Sequence, residues 1–156
     1  MEILENLISQ TTESLVEKNQ INYLDFMKSW KVFFVAKLYD DKDLIYDLGN
    51  AILKVKTIYE KEQAIGENLI SQMIENLEKS KQINYLDFMK FGRALFVTKS
   101  YDNEKLTYDL INNILNSEII DQDIWSVERK NHISNSSVII EVINEKNSLV
   151  KERNIA

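Results

Sequence analysis

A chain of 156 residues with 44% hydrophobic and 10% aromatic content can fold as one body that buries about 70% of its unfolded surface. Its formal charge of −6 argues against nucleic acid as a partner and suits a basic protein. The lack of cysteine excludes disulfides and thiolate zinc sites and favours a reducing cytoplasm.

Further exclusions follow from residue order. The longest apolar run, Val32–Ala36, is far too short to span a bilayer, and the N-terminus lacks the basic-then-apolar pattern of a secretory signal. Proline is absent and glycine occurs three times, too little turn punctuation for a β-sandwich or barrel. Long helices with short polar connections need little of it. The expected fold is therefore all-α, in a single domain over 1–156.

Residues 5–54 recur 62 positions later as 67–116, with 29 of 50 pairs identical. Glu5–Gln10 matches Glu67–Gln72 without change, as Ile21–Lys28 matches Ile83–Lys90. This predicts two tandem three-helix repeats, over 3–56 and 65–118, followed by a C-terminal capping segment, 119–156. They would pack as one bundle or a short solenoid.

The first helix of each copy is marked by apolar residues at helical spacing: Ile3, Leu4, Leu7, Ile8, Leu15 and Val16, then Ile65, Leu69, Ile70, Met73, Ile74 and Leu77. Polar links follow at Lys18–Gln20 and Ser80–Gln82. The second helix starts at Asn22 or Asn84, a side chain suited to capping a first turn, with Asp25 or Asp87 three residues on. It runs to Tyr39 or Tyr101 and is apolar on most sides, as befits a central buried helix. A tight acidic turn, Asp40–Asp43 or Asp102–Glu104, opens the third helix with capping groups and negative charge. Residues 56–66 remain compatible with helix, continuing into the next copy or bending at Gly66.

Two differences between the copies are large: Trp30 becomes Gly92, and Gly49 becomes Ile111. If the second and third helices form a hairpin turning at Asp40, Trp30 and Gly49 each lie about 14–15 Å from its tip at 1.5 Å per residue. They should then face each other, with Gly92 facing Ile111 and the large and small partners exchanged. Thr11 and Thr12 become Met73 and Ile74, which predicts a more buried first helix in copy two. Leu38→Ser100 and Ala51→Asn113 predict a more exposed hairpin there.

Beyond Ser117 the link 118–126 is acidic, and a last helix starts at Asn135–Ser137 with Val138, Ile139, Val142, Ile143, Leu149 and Val150 at helical spacing. The Val and Ile content leaves a strand at 137–143 as the alternative.

No constellation for catalysis emerges. The one histidine, His132, stands in a polar stretch with no partner in a nucleophilic set. No metal or cofactor is expected: Asp41-x-Asp43 and Asp121-x-Asp123 lack the glycine of a calcium loop, and there is no phosphate-binding glycine pattern. What remains are acids beside aromatics. Tyr46–Asp47 recurs as Tyr108–Asp109, Asp40 and Asp41 open one turn, and Asp102 and Glu104 open the other. Residues 102–123 carry Asp102, Glu104, Asp109, Glu118, Asp121 and Asp123 against Lys105 alone, and Trp125 follows. These twelve residues are the candidate partner-binding set, since tyrosine and tryptophan anchor interfaces and acids pair with Lys or Arg. The plainer reading packs each tyrosine on the core and leaves its aspartate to cap or face water.

A small, acidic, cysteine-free helical chain without a catalytic set resembles bacterial toxin-immunity proteins of the contact-dependent inhibition and colicin types, in general character along the whole chain. The resemblance implies a non-enzymatic, cytoplasmic inhibitor that occludes a basic toxin domain of the nuclease kind, with no contact to nucleic acid or membrane. The alternative is a helical-repeat adaptor that binds peptides or partner proteins.

Overall fold

The computed structural model describes residues 2–61 and 64–120. Copy one runs α1 (Glu2–Glu17), β1 (Gln20–Ile21), α2 (Tyr23–Tyr39), α3 (Lys42–Lys54) and β2 (Lys56–Thr57). Copy two runs α4 (Glu67–Ser80), β3 (Gln82–Asn84), α5 (Tyr85–Ser100), α6 (Glu104–Leu115) and β4 (Glu118–Ile120). The described chain is thus mostly helical, in keeping with an all-α class, and the expected C-terminal helix lies outside the described residues. No described helix is long and apolar enough to cross a membrane.

The helix starts follow their local chemistry. Asn22 and Asn84 each accept a hydrogen bond at 2.8 Å from the N–H three residues on, satisfying a donor that a first turn leaves orphaned. Asp41 caps α3 by accepting from the N–H groups of Asp43 and Leu44, and Asn103 caps α6 by accepting from that of Leu106. Asp40 and Asp102 hold φ of 63° and 56°, a left-handed turn that aspartate tolerates better than most side chains.

The links differ from the sequence expectation. Where polar connectors and continuing helix were expected, the chain forms two short parallel ladders, Gln20 with Lys56 and Ile21 with Thr57, then Gln82 with Glu118, Ile83 with Ile119 and Asn84 with Ile120. They bury Ile21 and Ile83 and tie the end of each unit to the start of its central helix. Lys56 and Thr57 accordingly end the helical path after α3. Strands of two or three residues carry no readable alternation.

α2 and α5 form the centre, lying against each other with α3 and α6 outside them and α1 and α4 flanking. Their aromatic contacts come in exchanged pairs. Tyr23 meets Phe96 edge-on at 5.3 Å, and Tyr85 meets Phe34 edge-on at 5.0 Å. Phe26 meets Phe96 at 5.4 Å, and Phe88 meets Phe34 at 5.1 Å. Each pair becomes the other when 62 is added to one residue and subtracted from its partner. In these pairs a face of one central helix meets the equivalent face of the other copy.

This arrangement corrects the expectation for Trp30. Its neighbour is Gly92, the equivalent residue of the other copy, and not Gly49. A Cβ built on Gly92 would stand 2.2 Å from Trp30 Cδ1. The indole stacks on Phe88 at 4.6 Å and donates from Nε1 to the Phe88 carbonyl at 2.7 Å. Gly49 lies under Phe33 instead, with its Cβ position 3.6 Å from that ring. Where equivalent residues meet, two tryptophans cannot both fit, and one copy has given up its side chain. The polarity changes divide. Ala51 is buried while Asn113 is half-buried, as expected, but Leu38 and Ser100 are both half-buried, and α4 is not the better buried first helix: Leu7 packs on the core where its equivalent Leu69 is 54% exposed.

Candidate functional site

Two grooves, each built from both copies, gather six of the nine candidate residues that the structure describes. The tip of α2–α3 supplies Lys37, Asp40, Lys42 and Tyr46 to the first, and the end of α6 with β4 supplies Leu115 to Ile119, with Lys81 beside them. The tip of α5–α6 supplies Lys99, Asp102, Glu104 and Tyr108 to the second, opposite Leu53 to Thr57. The grooves share no residue. They are exchange equivalents, since position 37 corresponds to 99, 46 to 108 and 53 to 115.

A lysine fixes the floor of each groove. Lys37 reaches across the copy boundary and donates to the carbonyls of Ile114 at 2.6 Å and Ser117 at 2.9 Å. Lys99 does the same in reverse, donating to the carbonyl of Leu53. Each ammonium sits at a helix C-terminus, where unpaired carbonyls and the macrodipole favour a cation. Burial pulls both pKa values down to about 8, against the opposing pull of Asp40 on Lys37 and of Asp102 on Lys99. An amine engaged in this way is a clasp between the copies and is not free to act as a nucleophile. Sequence reasoning missed both, although a lysine kept in both copies just after an apolar stretch was a signal.

The acids prove less uniform than expected. Each groove is lined by three lysines and two acids, Lys37, Lys42 and Lys81 with Asp40 and Glu118 in one, Lys54, Lys56 and Lys99 with Asp102 and Glu104 in the other. The acidic second hairpin of the sequence thus meets lysines from copy one. Asp40, Asp41 and Asp102 also have structural employment in the turns. Asp47 is exposed and Asp109 half-buried on the outer helices. Asp121, Asp123 and Trp125 lie outside the described residues, as does His132.

The tyrosines divide. Tyr39 is half-buried and donates to Glu5 Oε1 at 2.7 Å, and Tyr101 lies against Tyr59 at 5.1 Å. Tyr46 and Tyr108 are different: they are 62% and 55% exposed at groove edges, so the core-packing reading fails for them. Among the described residues no cluster of three or more His, Cys, Asp or Glu could hold a metal.

The chain matches no protein-family model, no curated protein and no solved structure.

Proposed function

We propose that the protein is a non-enzymatic, acidic immunity protein that binds and neutralises a basic toxin domain by covering its functional surface. In this reading two tandem three-helix copies, closed on each other by exchanged contacts, form one rigid cytoplasmic body. The observation that carries the proposal is the pair of solvent-exposed tyrosines, Tyr46 and Tyr108, at equivalent edges of grooves whose linings mix lysines with acids. An exposed tyrosine is a rigid, amphipathic anchor that loses little entropy on binding. Asp43 and Asp47 flank Tyr46, and Glu104 and Asp109 flank Tyr108, so a partner rich in Lys and Arg would find charge around each anchor.

The test begins with the product of the adjacent gene. Co-expression should abolish its toxicity, and the purified pair should associate with a rate that falls as salt rises. Tyr46→Ala and Tyr108→Ala should each weaken the complex roughly tenfold or more while leaving the fold intact. Binding indifferent to salt and to both substitutions would refute the reading. An adaptor is the second reading, favoured by one feature, an apolar groove between α4 and α5.

A further inference from the structure

The groove between α4 and α5 has no equal in copy one. It holds about 710 Å³ and is lined by Ile65, Leu69, Met73, Leu77, Ile83 and Phe91, with Asp87, Lys90 and Arg93 at its polar rim. The corresponding hollow between α1 and α2 holds about 260 Å³ and presents Thr11 and Ser29 where copy two has Met73 and Phe91. The difference comes from helix placement. α1 packs along both α2 and α3, whereas α4 leans on α6 and β3 and stands off α5. Copy two has exchanged two polar residues for apolar ones here: Phe91 is buried in the groove floor, Met73 is half-buried, and Leu69 beside them is 54% exposed.

We propose that this groove is the seat of the chain's own C-terminal segment, 138–150. The path of the chain supports this occupant. β4 ends at Ile120 opposite Asn84, and β3 lends Gln82 and Ile83 to the groove wall. The segment therefore starts out from the rim. The 18 steps from Ile120 to Val138 can reach about 60 Å, ample to turn back along α4. Length agrees as well: the 14 residues of α4 span about 21 Å, and residues 138–150 as a helix would span about 20 Å. Val138, Ile139, Val142, Ile143, Leu149 and Val150 supply an apolar face that Lys146 interrupts, its long stem able to lie along the groove with the ammonium at the rim, and Glu141 and Glu145, one turn apart, supply acids for Lys90 and Arg93. α4, the segment and α5 would then form a closed layer, and no part of that groove would remain for a peptide.

The cysteine-free sequence makes the test clean. In the full chain, Met73→Cys is combined in turn with a single cysteine at each position from 138 to 150, and each variant is oxidised mildly and run without reductant. The expected result is an intramolecular disulfide at positions spaced three and four apart, centred on the apolar face, with little at Glu141 or Glu145. Cross-links of equal yield at every position, cross-links only between chains, or none at all would each overturn the proposal. Circular dichroism of every variant confirms the fold. In folded full-length protein, Met73→Glu should expose the segment to trypsin at Lys146 and Lys151 at least tenfold faster; unchanged cleavage would also overturn it.

Discussion

Exchanging the two residues where the copies meet should largely restore a protein that either change alone cripples. Trp30 is 1% exposed, so Trp30→Gly leaves a cavity the size of an indole. Truncation of a buried tryptophan costs about 3–5 kcal/mol, and glycine within a helix adds about 1 kcal/mol, giving roughly 4–6 kcal/mol. That is a large part of the stability of an ordinary domain. Gly92→Trp alone puts two indoles where one fits and should not give a native fold. In the double variant the indole at position 92 has the space that position 30 gave up. By the exchange rule it should stack on Phe26 and donate to the Phe26 carbonyl. Its neighbours are not identical, because Phe33, which lies 5.2 Å from the Trp30 ring, corresponds to Leu95. A residual loss of about 2 kcal/mol is reasonable for such an imperfect repacking. Urea denaturation followed by far-ultraviolet circular dichroism measures it. A double variant no more stable than Trp30→Gly would refute the reciprocal packing.

Gly92→Ala should destabilise by about 2 kcal/mol, although alanine normally gains about 1 kcal/mol over glycine in a helix, because the added carbon meets an indole fixed by a stack and a hydrogen bond; a stabilised variant in urea titration would contradict the contact. The lysine clasps give a pH signature. Their folded pKa of about 8 lies below the 10.5 of a free lysine, so the unfolded chain binds more protons between those values and stability should rise with pH from 8 toward 10. Tyr23, raised by burial, and Tyr101, raised by its hydrogen bond to Tyr59, act oppositely above about pH 10, so the rise should be read from urea midpoints below that. Lys37→Met with Lys99→Met should flatten it. Asn22→Ala and Asn84→Ala should each cost about 1 kcal/mol, by near-equal shifts in urea midpoint, since the caps are alike.

What the sequence revealed was local, and what it concealed was the relation between copies. Helix starts were legible because Asn22, Asp41 and Asn84 serve N–H groups two or three residues away. The large-to-small exchange at Trp30 was legible as a volume argument, but counting residues from a hairpin tip considers one copy alone. Trp30 meets Gly92 because the central helices cross where equivalent positions coincide, and no sequence distance encodes that. The ladders were too short to alternate. The site was half legible: Tyr46 and Tyr108 are exposed, while the acids chosen with them include Asp40 and Asp102, kept in both copies where the backbone turns left-handed. Some of the lysines that share a groove with those acids, Lys81 with Asp40 and Lys54 and Lys56 with Asp102, come from the opposite copy, so a charge count along one stretch could not see them.

The position of the asymmetry then bears on how binding and architecture divide the chain. Exchanged contacts bind both copies to the same central geometry, so the two grooves at the hairpin tips present the same lysine floor and the same exposed tyrosine. A partner that docks on one edge has a near copy available at the other. Symmetry fails elsewhere, where α4 withdraws from α5 and Met73 and Phe91 replace Thr11 and Ser29. In the proposed seating, these substitutions provide an attachment point for the unrepeated segment on the copy that precedes it in the chain. On that proposal the divergence of copy two answers to a segment it holds and not to a second specificity. If residues 138–150 seat there, their removal should lower stability by exposing that groove while leaving Tyr46 and Tyr108 free to bind; loss of partner binding with stability unchanged would reverse the assignment.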